Sequence, residues 1–308
     1  MSNNKLPFTL RTKVIEYPQL VHARDRIRQV HQAAKFCKKG RGIALLGPSG
    51  VGKTTVLEEY MRSVLAQQRH PGTKPVVFVE VPSTPSPKSL GAAVLTAMGD
   101  KFAHRGSAEE KLARIVILLK GLQTEMIVFD EAQHLVERRR TPTGATTDWL
   151  KNLLNASRVA VVLAGLKKTE ELLFSNEQLR RRFSAIAYYD RFDIFMSGGA
   201  QPFAELLFSF QELLPVPALK FVTADTVTRF YHASYGLIDY LIMIIDRAVW
   251  LAQDSKACEI DLSVLAQAFR DEVWSLAPNI RNPFCLEFNM LPLIGKGEPF
   301  DDFDVKAA

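Results

Sequence analysis

The sequence predicts an α/β protein whose parallel sheet is covered on both faces, followed by a smaller all-helical domain. Three observations carry that expectation. Five short, near-continuously apolar runs (43–46, 76–81, 126–129, 159–164 and 185–189) alternate with helical stretches, and strands buried on both faces read in this way. A glycine-rich segment, 47–54, lies between the first run and a helical stretch. After Asp190 the strand-like runs stop and only helical periodicity continues.

Taken in chain order, residues 1–21 hold Pro7 and Pro18 and no clear period, and read as an N-terminal arm. Residues 22–36 suit a helix, with Ile27, Val30 and Ala34 at helical spacing; Gly40 and Gly42 end it. Between the later strand runs, Leu112, Ile115, Val116 and Leu119 stand at i, i+3, i+4 and i+7, the apolar stripe of an amphipathic helix. Strand alternating with helix implies right-handed crossovers and a parallel sheet. This α/β domain is expected over 22–195. A helical domain follows over 196–277, in segments 202–214, 223–233, 237–252 and 261–274, with Thr223 and Asp261 as N-caps. Residues 278–308, with several Pro, Gly and Phe, read as a C-terminal tail.

Composition excludes several classes. Apolar residues make up 47% and charged ones 23% of the 308, as in ordinary globular chains. No apolar run approaches the roughly 20 residues of a membrane-spanning helix, and the first residues lack the apolar core of a signal peptide; the expectation is a cytoplasmic protein with no membrane partner. Cys37, Cys258 and Cys285 lie far apart, which suggests neither a zinc site nor a disulfide framework. The net charge of +6 permits a polyanion partner without demanding one.

The segment Gly47-Pro48-Ser49-Gly50-Val51-Gly52-Lys53-Thr54, followed by Thr55, matches G-x-x-x-x-G-K-[ST] completely and sits between strand and helix as that motif requires. Its glycines let the backbone curl so that amide N–H groups face phosphate oxygens, and the following helix adds its positive end. Lys53 supplies a point charge for the β- and γ-phosphates, and Thr54 a hydroxyl for Mg²⁺. The run 126–129 then ends in two carboxylates. Asp130 suits a Mg²⁺ ligand, and Glu131 the base that orients and deprotonates the attacking water. ATP and Mg²⁺ are the ligands expected, and ATP hydrolysis the reaction.

Further residues carry a resemblance. Asp130-Glu-Ala-Gln-His-Leu, Trp149-Leu-Lys-Asn-Leu-Leu-Asn, Val161-Val-Leu-Ala-Gly-Leu and Asn176-Glu-Gln-Leu-Arg-Arg-Arg-Phe occur in this order. The succession resembles the TniB/TnsC group of AAA+ ATPases, regulators of DNA transposition, and is similar to secretion ATPases of the ExeA type. It extends from about His22 to Ala252. The resemblance implies a P-loop AAA+ sheet in the order 5-1-4-3-2 with a helical lid. It also implies a homo-oligomer, ring or helical filament, that forms on duplex DNA, recruits or activates a DDE transposase, and receives targeting information from another protein. DNA contacts to phosphates would be largely independent of sequence; Arg138, Arg139 and Arg140 are the candidates to make them. Arg182 matches the position of the arginine finger, which acts on a neighbouring subunit's nucleotide, and Arg180 and Arg181 are candidates for an interface or DNA. The Lys35, Lys38, Lys39 and Arg41 group reads as a solvated helix end. Two departures point to a slow switch. The run ending Leu163-Ala164-Gly165 lacks the polar side chain often found there, and Asp239 falls where many relatives carry arginine, with Arg247 a remote substitute. The alternatives are an ExeA-like secretion or assembly ATPase and a non-hydrolysing nucleotide-binding scaffold.

Overall fold

The computed structural model describes residues 8–13, 15–36, 40–67, 70–136, 143–183, 185–255, 259–301 and 303. The chain divides into two compact units. The first is Gln19–Ser49 with Lys53–Asp190; the second takes Met1–Pro18, Gly50–Gly52 and Arg191–Lys306.

In the first unit the elements run α1 (Pro18–Phe36), β1 (Arg41–Leu46), α2 (Lys53–Ala66), β2 (Val76–Glu80), α3 (Pro87–Met98), α4 (Ala108–Gly121) and β3 (Met126–Asp130). Then come α5 (Thr143–Ala156), β4 (Ala160–Gly165), α6 (Glu170–Phe174), α7 (Glu177–Arg182) and β5 (Ala185–Tyr188). The five strands form one sheet in the order β2-β3-β4-β1-β5, every pairing parallel. This is the expected 5-1-4-3-2 read from the other edge. Every residue of β3 and β4 is buried, which is why these strands read as unbroken apolar runs. Serine N-caps with reciprocal capping boxes start α3 at Ser86 and α4 at Ser107. Helix α1 begins at Pro18, ahead of the expected His22, because proline fits the first helical turn, where its missing N–H costs nothing. Lys111, buried on α4, donates its ammonium to the carbonyls of Ala103 and Arg105 and ties down the turn ahead of that helix.

The second unit contains α8 (Ala200–Glu212), α9 (Ala224–Ser234), α10 (Ile238–Ser255) and α11 (Leu262–Glu272). Thr223 and Asp261 cap α9 and α11 through their side chains, as expected. Leu10 is buried within this unit. Asp246 accepts hydrogen bonds from the Thr9 hydroxyl at 2.6 Å and the Leu10 amide at 2.8 Å, and Trp250 donates to the Phe8 carbonyl. Residues beyond Pro278 pack into the same unit through Phe284, Phe288, Leu293 and Phe300, all buried. Phe300 stacks on Tyr235 at 5.2 Å, and Arg281 grips Glu298 at 2.5 Å. Among the described residues no helix is long and apolar enough to cross a membrane.

His232 is 3% exposed, its Nδ1 has no hydrogen-bond partner among the described residues, and Phe195, Tyr231 and Phe288 surround its ring. Burial, with the charge of Arg281 second, lowers its pKa to about 4 from the ordinary value near 6.5. Between those values the unfolded chain binds a proton that the folded chain rejects, so this unit loses stability as pH falls from about 6.5 toward 4; the shift bounds the loss at about 3 kcal/mol. Thermal unfolding from pH 7.5 to 4.5 is expected to fall less steeply for His232→Phe than for the natural chain. Equal slopes would show that His232 contributes nothing.

Candidate functional site

The sequence motif becomes a loop at the C-terminal edge of the sheet, where β1 ends and α2 begins at Lys53. Gly47 is required by close approach: a Cβ there would lie 1.9 Å from the Tyr189 carbonyl oxygen, a backbone atom that no rotamer change can move. The Gly47 amide donates to the Gly165 carbonyl at the end of β4, 3.0 Å away, and the Tyr189 amide donates to Leu46 at 2.7 Å. Both neighbouring strands thus fix where the loop starts. Gly50 and Gly52 take φ of 78° and 95°, a region that side chains disfavour and that lets successive amides converge on an anion. Gly50–Gly52 group with the second unit, in which the Asp239 amide donates to the Gly50 carbonyl at 3.0 Å. The Asp239 carboxylate there pairs with Arg11 at 2.5 Å, and Arg247 pairs with Asp271 at 2.6 Å.

Lys53 is buried and donates to the carbonyls of Gly47 at 2.8 Å and Pro48 at 2.6 Å. Burial lowers its pKa to about 8, and the negative charges of Asp130 and Glu131 offset part of that. Thr54 donates its hydroxyl to Asp130 Oδ2 at 2.8 Å, and Asp130 Oδ1 accepts the Glu131 amide at 2.9 Å. Asp130 is 6% exposed, so a polar partner is needed for each of its oxygens. The two halves of the predicted site therefore meet: the loop from β1 and the acid from β3 are in contact although β4 separates their strands. A hydroxyl and a carboxylate converging in this way are hard oxygen donors that fit Mg²⁺, which takes one or two carboxylates and completes its shell with phosphate and water. Among the described residues no cluster of three His, Cys, Asp or Glu offers a cage of its own.

Glu131 sits in the left-handed region with φ 55° and ψ 36°, at the start of a 3-10 turn over Ala132–Leu135. Its carboxylate accepts a hydrogen bond from Gln133 and lies 4.0 Å from His134. Motif reasoning missed Gln133, which is buried and joins Glu131 to the end of β4. The only signal was its place in Asp130-Glu-Ala-Gln, and no spacing rule singles it out. It missed Arg11 as well, because sequence distance hides the pair with Asp239.

Arg182 donates to the Gly40 carbonyl at 3.2 Å and to Asn155 Oδ1 at 2.7 Å, both in its own chain. Arg181 pairs with Glu177 one turn back on α7, and Arg180 is exposed. Arg138, Arg139 and Arg140 lie outside the described residues.

Solved structures that match share the fold. Two are from Aeropyrum pernix: the ORC1 protein in complex with DNA (TM-score 0.63, 18% identity, 85% of this chain and 68% of that one) and the ORC2 protein in ADPNP–ADP complexes (0.62, 13%, 88% and 71%). A third is the Thermotoga maritima RuvB Holliday junction branch migration motor (0.52, 16%, 83% and 70%). No curated protein matches. The family described as bacterial TniB protein matches residues 5–191, more than half of the sequence. With the strand order, the loop and the paired acids in place, the chain belongs to the TniB family and carries the AAA+ fold.

Proposed function

We propose that the protein is an ATP-dependent regulator of DNA transposition. In this reading it binds ATP with Mg²⁺, assembles as a ring or filament on duplex DNA, recruits or activates a transposase, and hydrolyses ATP slowly as a release switch. The observation that carries the nucleotide part is the Thr54–Asp130 contact at 2.8 Å beside the loop of Gly47 to Thr54. Family membership supports the transposition part.

The loop amides and Lys53 would hold the triphosphate, and Thr54 and Asp130 would hold Mg²⁺. The ion supplies charge neutralisation on the β- and γ-phosphates when bound. Glu131 orients a water and accepts its proton as the water oxygen bonds to the γ-phosphorus and the bond to the departing ADP oxygen breaks. Arg182 of one subunit approaches the nucleotide of its neighbour, exchanging its contacts with Gly40 and Asn155 for phosphate oxygens. A guanidinium in that place is worth about 10³–10⁵ in rate. The missing polar side chain at the end of β4 and the pairing of Asp239 with Arg11 favour a long ATP lifetime over rapid turnover. Duplex DNA, held through its phosphates and hence largely without regard to sequence, is the proposed scaffold of the assembly. Arg138, Arg139 and Arg140 are the proposed contacts, and a target-selection protein is the proposed source of location.

Phosphate release measured with and without duplex DNA tests the whole reading: DNA-stimulated turnover is expected, and turnover indifferent to DNA would count against it. Lys53→Ala should weaken ATP binding by at least about a hundredfold, consistent with losing charge-assisted bonds of roughly 1.5–3 kcal/mol each. Equilibrium titration with a fluorescent ATP analogue reads this, and natural affinity would remove the loop from its role. Glu131→Gln should keep ATP affinity, lose about 10²–10⁴ in turnover and persist on DNA as an assembly. Natural hydrolysis in that variant would exclude Glu131 as the base. Arg182→Ala should leave ATP binding by isolated subunits intact and abolish the stimulation by DNA; full stimulation would place the finger elsewhere.

A further inference from the structure

The end of β4 lacks a polar side chain, yet the space beside it holds one. Gln133 sits on the 3-10 turn Ala132–Leu135, which is anchored in the core by the buried Ala132 and Leu135. Its own side chain is largely buried and both ends of its amide are used. Nε2 donates to Glu131 Oε2, and Oε1 accepts the Leu166 amide at 3.1 Å. The partners fix which end is which, because a carboxylate can only accept and a backbone N–H can only donate. Glutamate in this place would offer acceptors at both ends; asparagine is one methylene shorter.

The neighbouring backbone is shaped to admit this amide. A Cβ on Gly165 would stand 2.6 Å from Gln133 Oε1, 3.0 Å from the Gln133 backbone nitrogen and 2.7 Å from the Thr169 hydroxyl. Glycine at the last position of β4 therefore leaves the room that Gln133 occupies. The same residue's carbonyl accepts the Gly47 amide. A continuous set of contacts runs from the first glycine of the phosphate loop through Gly165 and Leu166 to Gln133 and on to the Glu131 carboxylate, all within the sheet unit. Glu131 follows a left-handed backbone turn and its side chain is about half exposed. Among the described residues, the Glu131 carboxylate otherwise has His134 at 4.0 Å.

We propose that Gln133 is a positioning residue for Glu131: from the turn after β3 it supplies the polar contact that β4 does not, and it ties the base to the strand end that also anchors the phosphate loop. The proposal rests on Glu131 being the base of ATP hydrolysis. Gln133 acts through Glu131 and touches no substrate, so its loss removes orientation and leaves nucleotide binding alone. Misplacing a reacting group by about 1 Å costs up to roughly a hundredfold.

Steady-state hydrolysis with ATP binding and thermal unfolding measured in parallel tests this on the full chain. Gln133→Ala is expected to lower kcat at least about tenfold, with KM for ATP within about twofold and little change in Tm. Gln133→Glu, of equal volume, keeps an acceptor for Leu166 but cannot donate to Glu131, and should lose as much. It carries the test if the alanine variant unfolds. Gly165→Ala crowds the amide without removing it and should reproduce the kcat loss. In single-turnover assays, Gln133→Ala added to Glu131→Gln should cost nothing further, since two residues acting as a unit are not additive.

Natural kcat in Gln133→Ala and Gln133→Glu would overturn the proposal. So would a loss shared with ATP affinity and Tm, or an additive loss in the double variant. The base assignment has its own control: Glu131→Gln at the natural rate sinks that assignment and this inference together. A slow Glu131→Gln beside a fast Gln133→Ala sinks this inference alone. Absence of turnover in the natural chain overturns both.

Discussion

The two halves of the site meet directly in one hydrogen bond, from the Thr54 hydroxyl to Asp130. The residues come from strands that are not neighbours. β1 pairs with β4 and β4 with β3, so the two connecting loops must close across two strand spacings, about 9–10 Å. They can do so because β4 ends in Ala164 and Gly165, which put almost no bulk at that edge. The same small residues leave room for Gln133 to cross from the β3 side. The end of β4 is therefore a place where other segments meet: the Gly47 amide docks on it from one side and the Gln133 amide from the other.

Electrostatics follow from that closure. Packing the loop against the sheet buries Lys53, and desolvation outweighs the attraction of Asp130 and Glu131, so its pKa falls to about 8. The Gly47 and Pro48 carbonyls satisfy the ammonium. A buried cation held by neutral carbonyls is arranged to meet an anion, because burial makes each charge interaction stronger than it is in water. The proposed chemistry needs no rearranged fold, only a polyphosphate in place of loop carbonyls as the partner of Lys53.

Much of this was legible in the sequence. The five apolar runs are the five strands; β3 and β4, buried throughout, have no face on which to alternate. The glycine-rich loop between β1 and α2 and the two acids at the end of β3 lie at one edge of the sheet, because both segments depend on backbone geometry that adjacent residues determine. What sequence reasoning missed depends on contacts that only the folded chain creates. Gln133 has no periodic signature, and its contacts with Glu131 and Leu166 appear only when β4 is set beside β3. Lys111 is a charged residue next to the apolar stripe of α4, and it is buried with its ammonium on two loop carbonyls. The residues after Pro278 carry few regular elements, and read as a tail, yet their phenylalanines are buried among α9 and its neighbours. Asp239 read as a missing charge; its partner Arg11 lies far back along the sequence.

Electron microscopy of the full chain with ATP, Mg²⁺ and duplex DNA would reveal whether the Gly47–Thr54 loop and Asp130 form a nucleotide site. Triphosphate density is expected along Gly47 to Thr54, with a metal held by Thr54 and Asp130, and Lys53 turned from the Gly47 and Pro48 carbonyls to the phosphate oxygens. Nucleotide bound elsewhere, or that loop empty at saturating ATP with Lys53 still on its carbonyls, would contradict it.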